Sequence, residues 1–384
     1  MIYLDNQATT ACDPRVVDAM MPFFSDSYGN ASSPHSFGQI AAEAVSWSQE
    51  QVAKLIGSQP KEVVFTSGAT ESNNLAILGA ARQHQEIGGK RRRLVTNAIE
   101  HKSVLAPLEY LAREGWELVY LPLDGEGLID LAQAQTLITD QTLLVSVQVG
   151  NSEIGTIQPI TELAALAHAQ GALLHCDASQ AAGKVALDVV ELGMDLLSLS
   201  GHKMYGPKGV GALWIKGGSR QLPLAPLMQG GGHSGGLRPG TQPVPLLVGL
   251  GRASELAAEV QDAESRSTAN LREEFEQRLL AELPEITING SKNSRLPNNS
   301  SVTFSGLEAE AILANLPELM ASTGSACESG SIEPSRVLLA IGLTREQAFS
   351  TIRFGLGRFT TCAEVLKAAD SLILVCRQLA LLLA

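Results

Sequence analysis

Lys203 lies in the segment of this sequence that is best suited to covalent chemistry. The apolar run Leu197–Leu199 predicts the end of a buried strand, and the glycines and proline of Gly201–Gly209 then fix a loop around the lysine. A lysine confined beside hydroxyls and a histidine can become a nucleophilic amine, as Schiff-base chemistry with an aldehyde requires. We interpret Lys203 as the lysine that binds pyridoxal phosphate; a glycine-rich loop with a solvated lysine is the alternative.

Asp177 supplies a second element of such a site. The apolar segment Ala172–Leu174 leads to this acid, which predicts a buried strand that delivers a carboxylate at its C-terminal end. Pyridoxal phosphate needs a carboxylate against its pyridine nitrogen, because a protonated ring is the better electron sink. A helix N-cap is the alternative role for a single aspartate in this position.

The segment Glu62–Leu75 predicts a strand, a turn of small residues and the start of a helix. Backbone amides and hydroxyls at the N-terminus of a helix bind anions, so Gly68, Ala69 and Thr70 are suited to the phosphate of the cofactor. An ordinary strand-to-helix turn with a capping serine or threonine explains this segment equally well when it is taken alone.

Strands and helices alternate along the first part of the chain. The sequence predicts strands over 93–97, 117–122 and 142–149 and helices over 13–24, 39–56, 104–114, 130–137 and 159–170. Such alternation, with apolar strands, predicts an α/β fold with a mostly parallel central sheet and helices on both faces. Because His101, Asn151, Asp177 and Lys203 each follow a predicted strand, we expect them to converge at one edge of the sheet.

The pattern changes beyond residue 243. A charged helical segment over 244–282 is predicted to be an exposed connector, and shorter elements follow at 286–289, 299–304, 308–316 and 320–325. We therefore expect a large domain over residues 13–254 and a smaller α+β domain formed by residues 1–12 and 255–384. The apolar C-terminal segment, interrupted by Arg377, predicts a terminal helix that packs on the body of the protein.

Composition argues against several classes of protein. With 45% hydrophobic and 18% charged residues the chain is typical of a globular enzyme, and its net charge of −12 argues against nucleic acid as the main ligand. The N-terminus reaches Asp5 before an apolar stretch develops, so no signal peptide is expected, and no segment is apolar enough to predict a membrane span. Five irregularly spaced cysteines without a CxxC motif favour a cytoplasmic protein with no metal site.

These motifs together resemble those of the class I cysteine desulfurases, the NifS/IscS type, over nearly the whole chain. The matching segments follow the family's order: Tyr3–Thr10, Ser67–Asn74, Glu100–Lys102, Asn151–Gly155, Asp177–Gln180, Ser200–Gly209, Ser322–Pro334 and Arg353–Arg358. The resemblance implies a fold-type I pyridoxal-phosphate-dependent transferase that works as a homodimer. It also implies conversion of L-cysteine to L-alanine, with the sulfur supplied to iron–sulfur cluster assembly or to tRNA thiolation.

The resemblance further implies roles for individual residues. Lys203 matches the Schiff-base lysine, and Asp177 and Gln180 match the partners of the ring nitrogen and the phenolic oxygen. His101 matches the imidazole stacked on the ring, which also suits proton transfer near neutral pH. The remaining matches are the phosphate ligands Ala69, Thr70, Ser200, His202 and Thr241, the last donated across the dimer, and the substrate contacts Asn151 and Arg353.

Cys327 decides the reaction that the resemblance implies. It lies among small and polar residues in Ser322–Ser331, a composition typical of a mobile exposed loop, whereas Cys12, Cys176, Cys362 and Cys376 are interpreted as inert buried side chains. An accessible thiol on a flexible arm can attack the sulfur of the substrate and carry it away. We therefore expect a Cys327 persulfide that is passed to an acceptor protein such as an iron–sulfur scaffold.

Two alternatives stay open. A lyase of the same fold would act on cystine or selenocysteine without needing Cys327, and a non-catalytic sulfur-assembly subunit would keep the fold only for dimerisation. The presence of Lys203, Asp177 and Cys327 together argues against the second. The chain also departs from the family's usual pattern at Ser152, Ser234–Gly235 and Pro239, which affects dimer contacts and acceptor choice more than the cofactor site.

Overall fold

The computed structural model describes residues 1–323 and 333–383. Cys327 and most of its predicted loop therefore lie outside the described residues. In chain order the strands are β1 Ile2–Tyr3, β2 Val63–Thr66, β3 Arg93–Asn97, β4 Glu117–Leu121, β5 Thr142–Gln148, β6 Leu173–Asp177, β7 Leu196–Ser200, β8 Gly211–Ile215, β9 Ile286–Ile288, β10 Asn299–Phe304, β11 Leu319–Met320, β12 Ser322–Thr323 and β13 Thr351–Gly355.

The helices lie between these strands and at the C-terminal end of the described chain. They are α1 Pro14–Met20, α2 Pro22–Ser25, α3 Ser36–Leu55, α4 Ala69–Glu86, α5 Lys102–Arg113, α6 Leu131–Leu137, α7 Ile160–Ala169, α8 Val244–Glu282, α9 Ala309–Ala314, α10 Arg336–Ala340, α11 Arg345–Phe349 and α12 Cys362–Leu383. In the ranges that the structure describes, no helix is both long and apolar enough to cross a bilayer.

The central sheet has the strand order β2-β8-β7-β6-β5-β3-β4. Only β8 runs antiparallel to its neighbours, which confirms the prediction of a mostly parallel sheet. Alternate side chains of one strand enter opposite apolar layers: Val145 packs in the layer that includes Leu163 of α7, and Leu144 in the layer that includes Leu75 of α4. Helices therefore cover both faces, and the parallel strands end together at one edge.

A second, four-stranded antiparallel sheet has the order β12-β13-β10-β9. Its apolar cluster contains Phe275 of α8, Phe354 of β13 and Leu372 of α12, and it is separate from the clusters of the central sheet. The N-terminal strand β1 pairs with β11, so both ends of the chain belong to this part of the molecule. These features support the proposed division into residues 13–254 and residues 1–12 with 255–384; its boundary stays a prediction.

Two local predictions were wrong. The helix predicted over 13–24 ends at Met20, and Pro22 begins a separate short helix, because a proline inside a helix clashes with the preceding turn and donates no hydrogen bond. The segment 244–282 is not an exposed connector: Leu247, Val248 and Leu250 of α8 are buried in the core that also contains Val45 of α3. Most charged residues of this helix are exposed or half-buried, whereas Arg272 is buried.

The cysteines also differ from the prediction that four of them are buried. Cys176 and Cys376 are buried, as expected. Cys12 is only half-buried, and Cys362, the first residue of α12, is exposed. Exposure at the start of a surface helix leaves the Cys362 thiol without the apolar surroundings that make a cysteine inert.

Substitution of Phe354 tests how much the apolar cluster of the four-stranded sheet contributes to stability. Its ring is fully buried and packs edge-on against Phe275, with 4.9 Å between the ring centroids. Phe354→Ala removes this contact and leaves a cavity, so we expect the free energy of unfolding, measured with urea, to fall by about 3–5 kcal/mol. Phe349→Ala, at a partly exposed position, is the control and should cost less than about 1 kcal/mol. Equal losses in the two variants would contradict this assignment.

Candidate active site

A cavity of about 590 Å³ opens at the carboxyl ends of the parallel strands. His101 enters it from the turn after β3, Asp177 from the end of β6, and Lys203 from the turn after β7. Three of the four residues expected to converge at this edge therefore line one cavity. The remaining lining residues are Gln7, Ala8, Thr9, Ser67, Gly68, Ala69, Thr70, Ser103, Gln148, Gly150, Ser152, Ser179, Gln180, Ser200, His202, Lys208, Gly209 and Arg353.

The N-terminal segment holds the Lys203 amine. The Nζ atom donates to the backbone carbonyls of Gln7 and Ala8, the second at 3.0 Å. The loop after the lysine is also fastened to this segment, because the N–H of Tyr205 donates to Thr10 Oγ1 at 2.9 Å. Tyr205 adopts φ = +63°, a strained conformation for a residue with a bulky side chain, so its surroundings must impose it.

Asp177 is oriented by two neighbours. Asn73 Nδ2 donates to Asp177 Oδ2 at 2.8 Å, and the backbone N–H of Ser179 donates to Oδ1 at 2.9 Å. Asn73 is fully buried on α4 and had no role in the sequence prediction, although it lies one helical turn after Ala69 of the phosphate turn. That spacing places the two residues on one face of the helix and was the available signal.

His101 is connected to Asp177 through the same asparagine. Asn73 Nδ2 also donates to Ser103 Oγ at 2.8 Å, and Ser103 Oγ lies 2.7 Å from His101 Nδ1. Since Nδ1 also accepts the backbone N–H of Ser103, at 3.1 Å, the proton of the neutral imidazole is on Nε2. Burial lowers the pKa of His101, and the nearby Lys203 charge adds to this effect while Asp177 opposes it. The imidazole is therefore neutral near pH 7.

The start of α4 forms a polar end of the cavity. Gly68 is the N-cap with φ = +148°, and the helix begins at Ala69. The turn is held by Glu71, which accepts the N–H of Ser67 at 2.7 Å and pairs with Arg238 at 2.9 Å. Because the N-terminal end of a helix carries partial positive charge, this turn favours an anion.

Ser200 and His202 border the same end from the lysine loop. His202 Nδ1 lies 3.1 Å from Thr9 Oγ1. Burial lowers the pKa of His202 to about 4, and the positive charges of Lys203, Lys208 and Lys184 contribute. A neutral His202 can still act as a hydrogen-bond donor to an anion.

Gln180 and Arg353 line the side of the cavity that faces the N-terminal segment. Gln180 Nε2 donates to the carbonyl of Gln7 at 3.0 Å. The Arg353 guanidinium, which is only 2% exposed, pairs with Asp5 at 2.8 Å. Its position at the cavity is suited to a carboxylate ligand.

Three residues of the predicted site are not among the cavity lining. Asn151 is buried, and its amide is used by the backbone: Nδ2 donates to the carbonyl of Ile99 at 2.9 Å and Oδ1 accepts two N–H groups. Thr241 is exposed and lies outside the cavity of its own chain. Cys327 lies outside the described residues. The roles of these three residues stay predictions.

Comparison with known proteins decides the family. The family model Aminotransferase class-V matches residues 2–367. A protein of Rickettsia felis named cysteine desulfurase IscS is 45% identical over 379 residues, covering 98% of this chain and 91% of the relative. The chain belongs to the class-V aminotransferase family, in its cysteine desulfurase branch. Members of this family depend on pyridoxal phosphate.

Solved structures share the whole fold of this family member. A structure titled NifS-like protein has a TM-score of 0.90 at 34% identity and covers 97% of this chain and 98% of its own. Another, titled SspA in complex with cysteine, has a TM-score of 0.82 at 36% identity, covering 94% and 100%. The prediction of a fold-type I enzyme is thereby confirmed.

The residues at this cavity fit the family's cofactor. The cavity volume lies in the range typical of small-molecule sites. Its lining includes the N-terminus of α4 and two polar side chains suited to a phosphate, an oriented carboxylate and a lysine amine. A glycine borders this space beside Ser200, since a Cβ on Gly68 would lie 3.8 Å from Ser200 Oγ. Pyridoxal phosphate requires partners for its phosphate, its ring nitrogen and its aldehyde, and the helix N-terminus, the carboxylate and the lysine amine provide them in that order.

Glu100 is a buried acid next to the site that the sequence analysis did not assign. Its Oε1 accepts from Asn97 Nδ2 at 2.6 Å and from the N–H of Gln148 at 2.8 Å, and its Oε2 has no partner among the described residues. Burial raises the pKa of Glu100 to about 8, with Asp177 contributing in the same direction. The carboxyl is therefore protonated at pH 7 and adds no second negative charge beside Asp177.

The raised pKa of Glu100 predicts a pH-dependent stability. Between about pH 4.5, the ordinary value, and about pH 8 the folded state keeps a proton that the unfolded state releases. This contribution is complete below pH 4.5 and is lost as the pH rises through 8. Glu100→Gln cannot ionise, so its urea-measured unfolding free energy should fall less between pH 5 and 8, by up to about 1.4 kcal/mol per pH unit.

Glu50→Gln, at an exposed position on α3, is the matched control for this measurement. It should keep the pH dependence of the parent protein. If Glu100→Gln behaved like this control, Glu100 would not be the protonated acid described above.

Proposed function

We propose that this protein is a cysteine desulfurase that binds pyridoxal phosphate through Lys203 and converts L-cysteine to L-alanine. The observation that carries the proposal is the cavity that combines Lys203, Asp177 and Arg353 in a chain 45% identical, over nearly its full length, to a named cysteine desulfurase. When bound, the cofactor withdraws electrons from the Cα of an amino acid and so makes its proton acidic.

The residues at the cavity have distinct roles in this proposal. Asp177, held by Asn73 and Ser179, keeps the ring nitrogen protonated. Arg353 binds the carboxylate of the substrate. The amine of Lys203, set free when the amino group of the substrate takes its place on the cofactor, would remove the proton from Cα, and the carbonyls of Gln7 and Ala8 hold this amine at the cavity. His101, neutral with its proton on Nε2, would lie against the cofactor ring and would donate a proton at the reacting centre.

Cys327 receives the sulfur in this proposal. Its thiolate attacks the Sγ of L-cysteine, the Cβ–Sγ bond breaks, and the sulfur remains on Cys327 as a persulfide while the carbon fragment takes up a proton and leaves as L-alanine. The substrate and one thiol thus give alanine and one persulfide, without an external oxidant. The persulfide is the product, and it is passed to an acceptor such as an iron–sulfur scaffold protein or a tRNA-thiolation relay.

We further propose that the protein is a cytoplasmic homodimer. Apolar side chains are exposed along α1, α2 and α3, at Val17, Met21, Phe24, Tyr28, Phe37 and Ile40. Several exposed apolar side chains within one stretch of chain are a feature of protein interfaces. In such a dimer, the exposed side chain of Thr241 would bind the phosphate of the cofactor in the partner subunit's site. The cytoplasmic location rests on the cysteine pattern of the sequence.

The persulfide distinguishes a desulfurase from a lyase for cystine or selenocysteine. After incubation with L-cysteine, peptide mass spectrometry should find one added, reducible sulfur on the Cys327 peptide, because the thiolate keeps the transferred atom. Cys327→Ser should lose both the added sulfur and alanine formation. Cys362→Ser, which changes an exposed thiol elsewhere, is the control and should retain both. Alanine formation by Cys327→Ser at the parental rate would favour the lyase.

Arg353 tests recognition of the substrate. Arg353→Lys keeps the positive charge but loses the two-pronged donor geometry that a carboxylate prefers, so kcat/KM for L-cysteine should fall about 10- to 100-fold, mainly through KM. Arg345→Lys, a substitution of the same kind at an exposed position, should leave both constants unchanged. Comparable losses in the two variants would argue against a substrate contact at Arg353.

A further inference from the structure

Lys184 is a buried lysine that none of the proposed steps uses. It lies in the connection between β6 and β7, is only 5% exposed, and forms no ion pair with any residue that the structure describes. Burial lowers the pKa of Lys184 to about 7, the charge of Lys203 adds to this, and Glu264 opposes it. Burying a lysine without a paired acid costs free energy, so another interaction must offset the burial of Lys184.

The polar contact of Lys184 leads to the active-site cavity. Lys184 Nζ donates to Gln180 Oε1 at 3.3 Å, and Gln180 Nε2 donates to the carbonyl of Gln7 at 3.0 Å. The same carbonyl accepts from Lys203 Nζ. Lys184 and Lys203 are thus at the two ends of one chain of hydrogen bonds that passes through Gln180.

This chain permits only one orientation of the Gln180 amide. If the amide were rotated by half a turn, its oxygen would face the Gln7 carbonyl and its nitrogen would face the amine of Lys184. Two acceptors would then oppose each other at the cavity and, when Lys184 is protonated, two donors would oppose each other behind it. The lysine and the carbonyl together therefore direct the amide nitrogen towards the cavity.

We propose that Lys184 is a positioning residue that acts through Gln180, keeping the Gln180 amide nitrogen directed at the cavity so that it donates a hydrogen bond to an oxygen of the bound cofactor. The inference rests on the proposed function, because it requires that pyridoxal phosphate binds in this cavity. A carbonyl oxygen in the place of that nitrogen would repel a negatively charged oxygen of the ligand.

Binding of pyridoxal phosphate to the apoprotein, followed by absorbance, tests this role. Lys184→Met removes the donor but keeps a long apolar side chain, so the dissociation constant should rise about ten-fold, and the absorbance maximum should shift in the same direction as in Gln180→Leu. The double variant Lys184→Met, Gln180→Leu should bind no more weakly than Gln180→Leu alone, because both changes remove one interaction. Lys61→Met, at an exposed position, is the control and should match the parent.

Each outcome bears on the proposal. A parental spectrum and dissociation constant in Lys184→Met, or effects of the two substitutions that add, would overturn it. If Lys184→Met does not fold, Lys184→Gln replaces it: the shorter neutral donor should give intermediate binding, and binding equal to the parent's would count against the proposal. Failure of the parent chain itself to bind the cofactor would instead refute the proposed function, and this is measured before any variant is compared.

Discussion

The site depends on one constraint: the N-terminal segment is hydrogen-bonded across the edge of the central sheet at which the parallel strands end. The carbonyls of Gln7 and Ala8 accept from the Lys203 amine, and Thr10 holds the backbone of the lysine loop at Tyr205. The same segment reaches the second sheet, where Asp5 pairs with Arg353 of β13. A few residues thus fix the proposed nucleophile and the proposed carboxylate-binding group relative to each other, although these belong to different sheets.

Burial decides the protonation of several groups around this segment. Desolvation lowers the pKa of His101 and His202 and raises that of Glu100, so three groups that could be charged are neutral near pH 7. Two groups at the cavity that carry charge have polar partners: Asp177 accepts from Asn73, and Arg353 pairs with Asp5. A site arranged in this way presents few competing charges to an anionic cofactor and a zwitterionic substrate.

Local pattern was sufficient for the elements that carry the site. The apolar runs before Asp177 and Lys203, and the glycines around them, predicted strands that end in functional turns, and both β6 and β7 end there. The local sequence pattern failed where packing between distant segments decides which residues are buried. A charged composition predicted exposure of α8, yet its first half packs into the core against α3, because the buried stripe of a helix is set by its neighbours. Similarly, nothing in the sequence indicates that Ser103 and Lys184 contact site residues, and Asn73 is marked only by its helical spacing from Ala69.

The sequence by itself determined the fold class, the family resemblance and the order of the motifs around Asp177, Lys203 and Arg353, since these depend on residue types and short spacings. Only the tertiary structure decided which polar atoms meet: that Asn73 joins Asp177 to Ser103, that Glu100 Oε2 lies buried without a hydrogen-bond partner among the described residues, and that Lys184 contacts Gln180. The physical reason is that desolvation and hydrogen-bond pairing depend on distances between segments far apart in the chain, and residue spacing along the chain does not specify those distances.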